Sequence, residues 1–240
     1  MKHNFERKTI AGRQCFVFLP NSYTKDEVLY PVAYLHGDES VFQLLNELNI
    51  LSELSFIIIG IFSEERLNEL TPWPSPSLHP KFPDFGGNGN SYIEFIEGKL
   101  KPEVDKTYRT LTSSENTAIV GYSLGGLISL YAAYKSGMFG CIASMSGSFW
   151  YPEFVSFAQE NSILNKNAKI YMSSGDREGV GHKDIKKDAV TFTKKVYDIL
   201  VSDLDQFSVT MSWDEGGHHD NTSDRYKKAL LWLDKNLRAQ

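Results

Sequence analysis

The stretch Gly121-Tyr122-Ser123-Leu124-Gly125-Gly126 stands between the apolar run 117–120 and the amphipathic run 128–134. A chain that turns sharply from a buried strand into a helix needs small residues, because larger side chains on either side of the turn would collide with the strand or the helix. G-x-S-x-G in this context is typical of a nucleophilic serine that projects from the end of a sheet. A turn with a purely structural role is the alternative interpretation.

Strand-like and helix-like segments alternate along the rest of the chain. The predicted strands cover 13–19, 32–35, 56–62, 117–120, 140–145, 168–172 and 207–213, and the predicted helices cover 91–104, 124–135, 183–201 and 223–237. The alternation predicts an α/β class with a mostly parallel, doubly wound sheet. Only the short segment 20–30 follows the first predicted strand, so we expect that N-terminal strand to be antiparallel.

The chain has 240 residues, of which 41% are hydrophobic, and this predicts one domain spanning residues 1–240. No insertion long enough for a large cap domain is visible between 146 and 167. In open parallel sheets, sites form beyond the carboxyl ends of the strands. The polar residues that follow the predicted strands are therefore the candidates for function.

A serine hydroxyl needs a neighbouring base before it becomes a good nucleophile. His218 and His219 follow Gly216 and Gly217, just past the last predicted strand, and so belong to the same edge of the sheet as Ser123. One histidine of this pair is the predicted base, and the residues alone leave open which one.

A carboxylate must orient that histidine, and backbone amides must bind the oxyanion that forms during acyl transfer. Asp176 and Glu178 follow the preceding predicted strand, and either one fits the role of the acid. We expect the oxyanion to be bound by the backbone N–H of Leu124 and by an amide near Asp38, while His36 in the same loop is interpreted as a structural residue.

Charge and composition argue against several other functions. The net charge is −5 and the basic residues are scattered, which disfavours nucleic-acid binding. The longest apolar run, 56–62, is too short to cross a bilayer. No cofactor motif is visible, and no H-x-x-x-H or H-E-x-x-H pattern points to a metal. We therefore expect no cofactor, no metal, no nucleic acid and no membrane insertion.

The cellular setting is also an expectation from the residues. The polar N-terminus MKHNFERKTI shows no signal-peptide pattern, and Cys15 and Cys141 lie in predicted strands rather than in a disulfide framework. These features indicate a cytoplasmic protein. The oligomeric state stays open, with a homodimer as one alternative.

A family resemblance adds to this interpretation. The matching tracts are YPVAYLHGDES at 30–40, ERLNELTPWPSPSL at 65–78, FGGNGNSYIEFIEGKLKPEVDKTYRT at 85–110, GYSLGGLISLYAA at 121–133, SGDREG at 174–179 and DEGGHHDNTSDRYKKALLWL at 214–233. From about Phe16 onward, the chain resembles the esterase group of the α/β-hydrolases that includes enterochelin and other siderophore esterases. The resemblance implies the α/β-hydrolase fold.

The resemblance also implies a triad. The family acid falls on Glu178, and the family histidine, which follows a glycine pair and one further residue before an Asp or Asn, falls on His219 ahead of Asp220. Ser123, Glu178 and His219 are then the expected catalytic residues.

The expected function is hydrolysis of small-molecule carboxylic esters with small or aromatic acyl groups, siderophore esters among them. Trp73, Trp150, Tyr122 and Arg66 are the predicted substrate-binding residues. Two alternatives remain at this point. One is an acyltransferase that uses the same serine, and the other is a non-catalytic binding protein on a hydrolase scaffold.

Overall fold

Eight strands form one sheet in the computed structural model of the chain, which describes residues 5–25 and 27–237. They are β1 (Glu6–Ile10), β2 (Arg13–Phe18), β3 (Val32–Gly37), β4 (Ile57–Phe62), β5 (Thr117–Tyr122), β6 (Cys141–Met145), β7 (Lys169–Gly175) and β8 (Val209–Asp214). Their order across the sheet is β1-β2-β4-β3-β5-β6-β7-β8. The strands from β4 to β8 in this order are parallel, whereas β1 and β2 are antiparallel to their neighbours.

The predicted mostly parallel sheet with an antiparallel N-terminal strand is confirmed, and all seven predicted strands are present. The sequence interpretation missed β1, because four of its five residues are exposed and it therefore shows no apolar pattern. β1 enters β2 through Ala11 and Gly12, whose φ angles are 50° and 79°. Two successive positive φ angles are the signature of a tight two-residue hairpin, which accounts for this pairing.

Helices cover both faces of the sheet. They are α1 (Glu39–Glu47), α2 (Arg66–Glu69), α3 (Gly89–Phe95), α4 (Lys101–Thr107), α5 (Leu124–Lys135), α6 (Phe154–Glu160), α7 (Ala189–Asp203) and α8 (Thr222–Asn236), with a π-helical turn, Ile96–Leu100, joining α3 to α4. α1 and α8 pack on one face, and α3, α5, α6 and α7 pack on the other.

β4 is apolar throughout because both of its faces are buried. Ile57 and Ile59 contribute to the core under α5, while Ile58 contributes to the core under α8. A strand covered on both faces has no polar side, so the alternation typical of a surface strand is absent.

Within 5–25 and 27–237, no helix is both long and apolar enough to cross a membrane.

The turn from β5 into α5 is strained. Ser123 has φ 61° and ψ −119°, a region that side-chain-bearing residues rarely occupy. A Cβ atom built on Gly121 would lie 2.3 Å from the backbone carbonyl of Gly125, and one built on Gly125 would lie 3.2 Å from Cβ of His36. The glycines therefore allow strand and helix to approach closely while the serine projects from the turn.

We expect Gly121→Ala to lower the free energy of unfolding by about 1–3 kcal/mol, because its methyl group would overlap backbone atoms that cannot rotate away. Urea unfolding followed by circular dichroism measures this loss. Gly98→Ala is the matched control, since a Cβ there meets nothing within 4 Å. The control should retain or slightly gain stability, and an equal loss in both variants would contradict the proposed clash.

Candidate active site

Three loops at the carboxyl edge of the sheet bring Ser123, Glu178 and His218 together. Ser123 follows β5, Glu178 follows β7, and His218 follows β8. The loop after β6 supports the serine, because the Ser123 amide donates to the Met145 carbonyl at 3.0 Å and the Ser148 amide donates to the Ser123 carbonyl at 3.1 Å. The turn is thus held by backbone hydrogen bonds on both sides.

The side chains of these residues form a continuous hydrogen-bonded line. Ser123 Oγ lies 3.0 Å from Nε2 of His218, and Nδ1 of the same ring lies 3.0 Å from Oε2 of Glu178. An imidazole between a hydroxyl and a carboxylate can accept the hydroxyl proton at one nitrogen while the carboxylate stabilises the resulting cation at the other. This arrangement can convert a serine into a nucleophile.

The prediction that His219 contacts the serine is wrong, because His218 occupies that position. Gly216, with φ 127°, turns the chain at the end of β8, and a tight turn from Gly217 to Asp220 follows. Consecutive side chains in such a turn point in different directions. The ring of His219 packs edge-on against that of His218, with 4.9 Å between the centroids, and lines a cavity that also contains Ser123 and His218.

Asp176 and Glu178, the two candidates for the acid, have different surroundings. The Asp176 side chain is half exposed and accepts from the Gly216 amide at 2.9 Å, so it supports the histidine loop from outside. The Glu178 carboxylate is only 5% exposed and accepts from the Gly175 amide at 3.1 Å in addition to His218. Burial alone would raise the pKa of Glu178, but the hydrogen bond and charge of His218 and the Gly175 amide hold it below its ordinary value.

Arg225 on α8 is a site residue that the sequence interpretation did not identify. Its guanidinium is buried and contacts Glu178, Asp214 and the carbonyl of His218. In the sequence it is one of several polar residues in an amphipathic helix. The one available signal is its position on the same helical face as the apolar residues Tyr226, Ala229 and Leu233.

Three other titratable groups in the strands, His36, Cys15 and Cys141, are poor candidates for the chemistry. Burial lowers the pKa of His36 to about 3, and Nδ1 of this ring lies 2.8 Å from the Tyr92 hydroxyl, in agreement with a structural role. Burial also raises the pKa of the Cys15 and Cys141 thiols to about 12, so both stay protonated and unreactive. No cluster of three potential metal ligands occurs in the part of the chain that the structure describes.

The predicted oxyanion donors lie at helix starts beside the serine. Leu124 is the first residue of α5, where backbone N–H groups have no partner within the helix. Asp38 follows β3, the strand next to β5, and its carboxylate caps α1 by accepting from the Ser40 and Val41 amides. Burial opposes its ionisation, yet these hydrogen bonds and the charge of Arg66 keep the pKa of Asp38 below its ordinary value.

A cavity of about 600 Å³ opens over Ser123 and His218. Its wall includes the cationic side chains Arg66, Arg177 and Lys186, the imidazole of His182, and the apolar side chains Trp150, Phe82, Val180 and Ala189. The two predicted substrate residues Arg66 and Trp150 therefore face the same space as the serine. The connection from β6 to β7 contains one short helix, α6.

The other two predicted substrate residues do not line this cavity. Trp73 donates to the Pro152 carbonyl at 3.1 Å and packs among Tyr131, Tyr151 and Phe157, so it supports the loop beneath the site. Tyr122 donates its hydroxyl to the His218 carbonyl, and its ring packs at a tilt against the His218 ring with 5.1 Å between the centroids. Both aromatic side chains are used for packing, which a count of aromatic residues in loops does not reveal.

We expect His218→Gln to reduce ester turnover about a thousandfold or more, because the serine loses its proton acceptor. His219→Gln is the matched control, and it should lose less than about tenfold. Initial rates with p-nitrophenyl acetate provide the measurement. A larger loss in the His219 variant than in the His218 variant would contradict the geometry of the loop.

Comparisons with known proteins agree with this fold. The family described as Putative esterase matches residues 10–228. The chain is 32% identical over 244 residues to the uncharacterized protein YbbA of Bacillus subtilis, with 97% of each chain covered. It is 31% identical over 121 residues to the ferri-bacillibactin esterase BesA of the same organism, with 42% of this chain and 41% of the relative covered.

A solved structure shares the fold along the whole chain. An IroE-like serine hydrolase from Shewanella oneidensis matches with a TM-score of 0.80 at 18% identity, covering 99% of this chain and 82% of the other. The sheet order, the antiparallel edge and this match identify the α/β-hydrolase fold. With a family match over most of its length, the chain belongs to the Putative esterase family and is a carboxylic ester hydrolase.

Proposed function

We propose that the protein is a serine esterase in which Ser123 is the nucleophile, His218 the general base and acid, and Glu178 the residue that orients the imidazole. The observation that carries this proposal is the line of two 3.0 Å contacts from Ser123 through His218 to Glu178. The strained turn at Ser123 supports it, since such strain is typical of functional positions.

The reaction proceeds in two acyl-transfer steps. Ser123 Oγ attacks the ester carbonyl carbon while its proton passes to Nε2 of His218. The tetrahedral intermediate then expels the alcohol, which takes that proton from Nε2, and the acyl group remains on the serine. Water attacks the acyl-enzyme with His218 again accepting the proton, and the proton returns to Ser123 Oγ as the acid leaves.

The oxyanion of each tetrahedral intermediate needs hydrogen-bond donors that stabilise its negative charge. We assign them to the amides of Leu124 and Asp38, which stand at the starts of α5 and α1. The helix dipole places partial positive charge at the same position. Because the Asp38 carboxylate is occupied by the Ser40 and Val41 amides, its charge is directed away from this role.

The cavity wall favours an anionic ester that carries an aromatic or other flat apolar group. Within the described ranges, the guanidinium of Arg66 makes no direct hydrogen bond or ion pair and interacts with the Asp38 charge only at longer range. Its N–H groups are therefore available to an anion in the cavity. Lys186 lies 5.2 Å above the Trp150 ring, so charge and aromatic surface are offered side by side. Phe82 and Val180 are exposed at the rim of the cavity.

Esters of siderophores fit these requirements, because an iron(III)–catecholate trilactone combines negative charge, aromatic rings and ester bonds in one molecule. The relative BesA is named as a ferri-bacillibactin esterase, which supports the same substrate class for this chain. The iron belongs to the substrate in this proposal, and the chemistry rests on the serine, the histidine and the amides.

Labelling and turnover together test the proposed function. A fluorophosphonate probe should label Ser123 in the folded protein, and a Ser123→Ala variant should stay unlabelled. The unsubstituted protein should hydrolyse p-nitrophenyl esters and, faster, an iron-loaded or iron-free catecholate trilactone. Folded protein that is not labelled would favour a binding protein, and products that carry an added alcohol would favour an acyltransferase.

We expect Arg66→Met to raise KM for an anionic aromatic ester about tenfold, because a charged contact inside the cavity is lost. KM for a neutral p-nitrophenyl ester should stay within about twofold. Lys166→Met is the control, since Lys166 pairs with Asp203 outside the cavity. Equal losses of kcat for both esters would show that Arg66 acts on the transition state instead of selecting the substrate.

A further inference from the structure

Among the residues that the structure describes, Arg225 is the largest fully buried side chain, with 1% of its surface exposed. A buried guanidinium is costly unless its N–H groups are bonded and its charge is balanced. Here Nε and Nη2 bind both carboxylate oxygens of Asp214 at 2.8 and 2.7 Å, and Nη2 also donates to the Gly217 carbonyl at 3.0 Å. These bonds fix the guanidinium plane at the end of β8.

The third nitrogen, Nη1, is left facing the active site. It lies 2.6 Å from Ser146 Oγ, 3.0 Å from the His218 carbonyl and 3.2 Å from Oε1 of Glu178. Oε2 of the same carboxylate is the oxygen that contacts Nδ1 of His218. One guanidinium therefore touches both the acid and the backbone of the base.

This cluster places one cation between two anions. Two carboxylates, Asp214 and Glu178, are 11% and 5% exposed, and Arg225 lies between them. Without the guanidinium, Glu178 would keep the Gly175 amide and His218 as partners but would lose a buried cation at 3.2 Å. A buried carboxylate that loses a cation is less readily held ionised and in place.

We infer that Arg225 is a positioning residue that holds the Glu178 carboxylate and the His218 loop in the geometry needed to activate Ser123. This inference rests on the proposed function, since it assigns a residue that acts through the proposed base and acid. Arg225 does not line the cavity, so it acts on the chemical step and not on substrate binding.

The shape of the side chain matters to this role. The guanidinium offers five N–H groups in a rigid plane, and here they reach acceptors on β8, on the loop after β6 and on the two loops that carry the acid and the base. A lysine ammonium has three donors and no planar fork. It retains the charge but cannot bridge Asp214 and Glu178 while also binding both carbonyls.

A second side chain also donates a hydrogen bond to the His218 carbonyl. The Tyr122 hydroxyl also donates to the His218 carbonyl, and Tyr122 immediately precedes the nucleophile. The backbone of the base is therefore tied to the strand of the serine on one side and to α8 on the other. Loss of either contact removes one of the two hydrogen bonds that hold the His218 carbonyl.

The test is a double-mutant cycle between Arg225 and Glu178, read as kcat and KM for p-nitrophenyl acetate. Arg225→Met should reduce kcat about thirtyfold or more with KM within threefold, and Arg225→Lys should recover part of that loss. In the Glu178→Ala background, Arg225→Met should cost less than about fivefold, since residues that act as a unit are not additive. Equal losses in both backgrounds, or a change confined to KM, would overturn the inference.

Stability is measured on the same variants. Lys101→Met is the matched control, because it breaks a part-buried ion pair with Asp105 that lies with Thr110 near the amino ends of the strands. It should lower Tm without changing kcat. If Arg225→Met does not fold, Arg225→Lys decides the question, and a folded lysine variant with unchanged kcat overturns the inference.

The two levels of the proposal can be separated. An unsubstituted protein that is neither labelled at Ser123 nor active on esters refutes the proposed function. An active, labelled protein whose Arg225 variants keep their kcat refutes only the role of Arg225.

Discussion

The close contact between β5 and α5 is the constraint on which the site depends. The chain reverses direction over Ser123 in a backbone conformation that costs about 1–3 kcal/mol. The cost is sustained because every residue from Leu124 to Tyr134 is buried, so α5 is anchored along almost its whole length. With strand and helix both fixed, the serine between them has little freedom, and its hydroxyl is presented to the loops after β7 and β8.

Much of the fold could be predicted from the sequence, since buried strands carry continuous apolar runs that stand out against polar loops. The rule that sites form at strand ends also selected Ser123, the pair Asp176 and Glu178, and the histidine pair. The sequence-based predictions failed where the local sequence pattern is weak or misleading. β1 is polar and exposed, so its pairing depends on the turn at Ala11 and Gly12 and on β2 as a partner.

The choice of His219 failed for a different reason. A motif counts residues from the glycine pair, but the direction of a side chain is set by the backbone angles of the loop. Here Gly216 reverses the chain early, and His218 follows the glycine pair directly. Trp73 and Tyr122 show the same limit, because loop aromatics contact either substrate or neighbouring loops and the pattern alone does not separate the two.

Sequence patterns do not predict the contacts of Arg225, because its partners are separated from it by up to 79 residues along the chain. Its burial is understandable only when Asp214 and Glu178 are seen on either side of it. The polar network around Arg225 therefore depends on the apolar core. The core places α8 against the sheet, and that placement brings the guanidinium to the two loops.

β8 lies at the outer margin of the sheet and is hydrogen-bonded to β7 alone. The imidazole consequently follows an edge strand of the described sheet, whereas the hydroxyl follows the central strand β5. Thermal fraying at that margin would interrupt proton transfer while the interior was still intact. The working lifetime of the enzyme would then be set by a peripheral opening event, well before cooperative melting of the whole molecule.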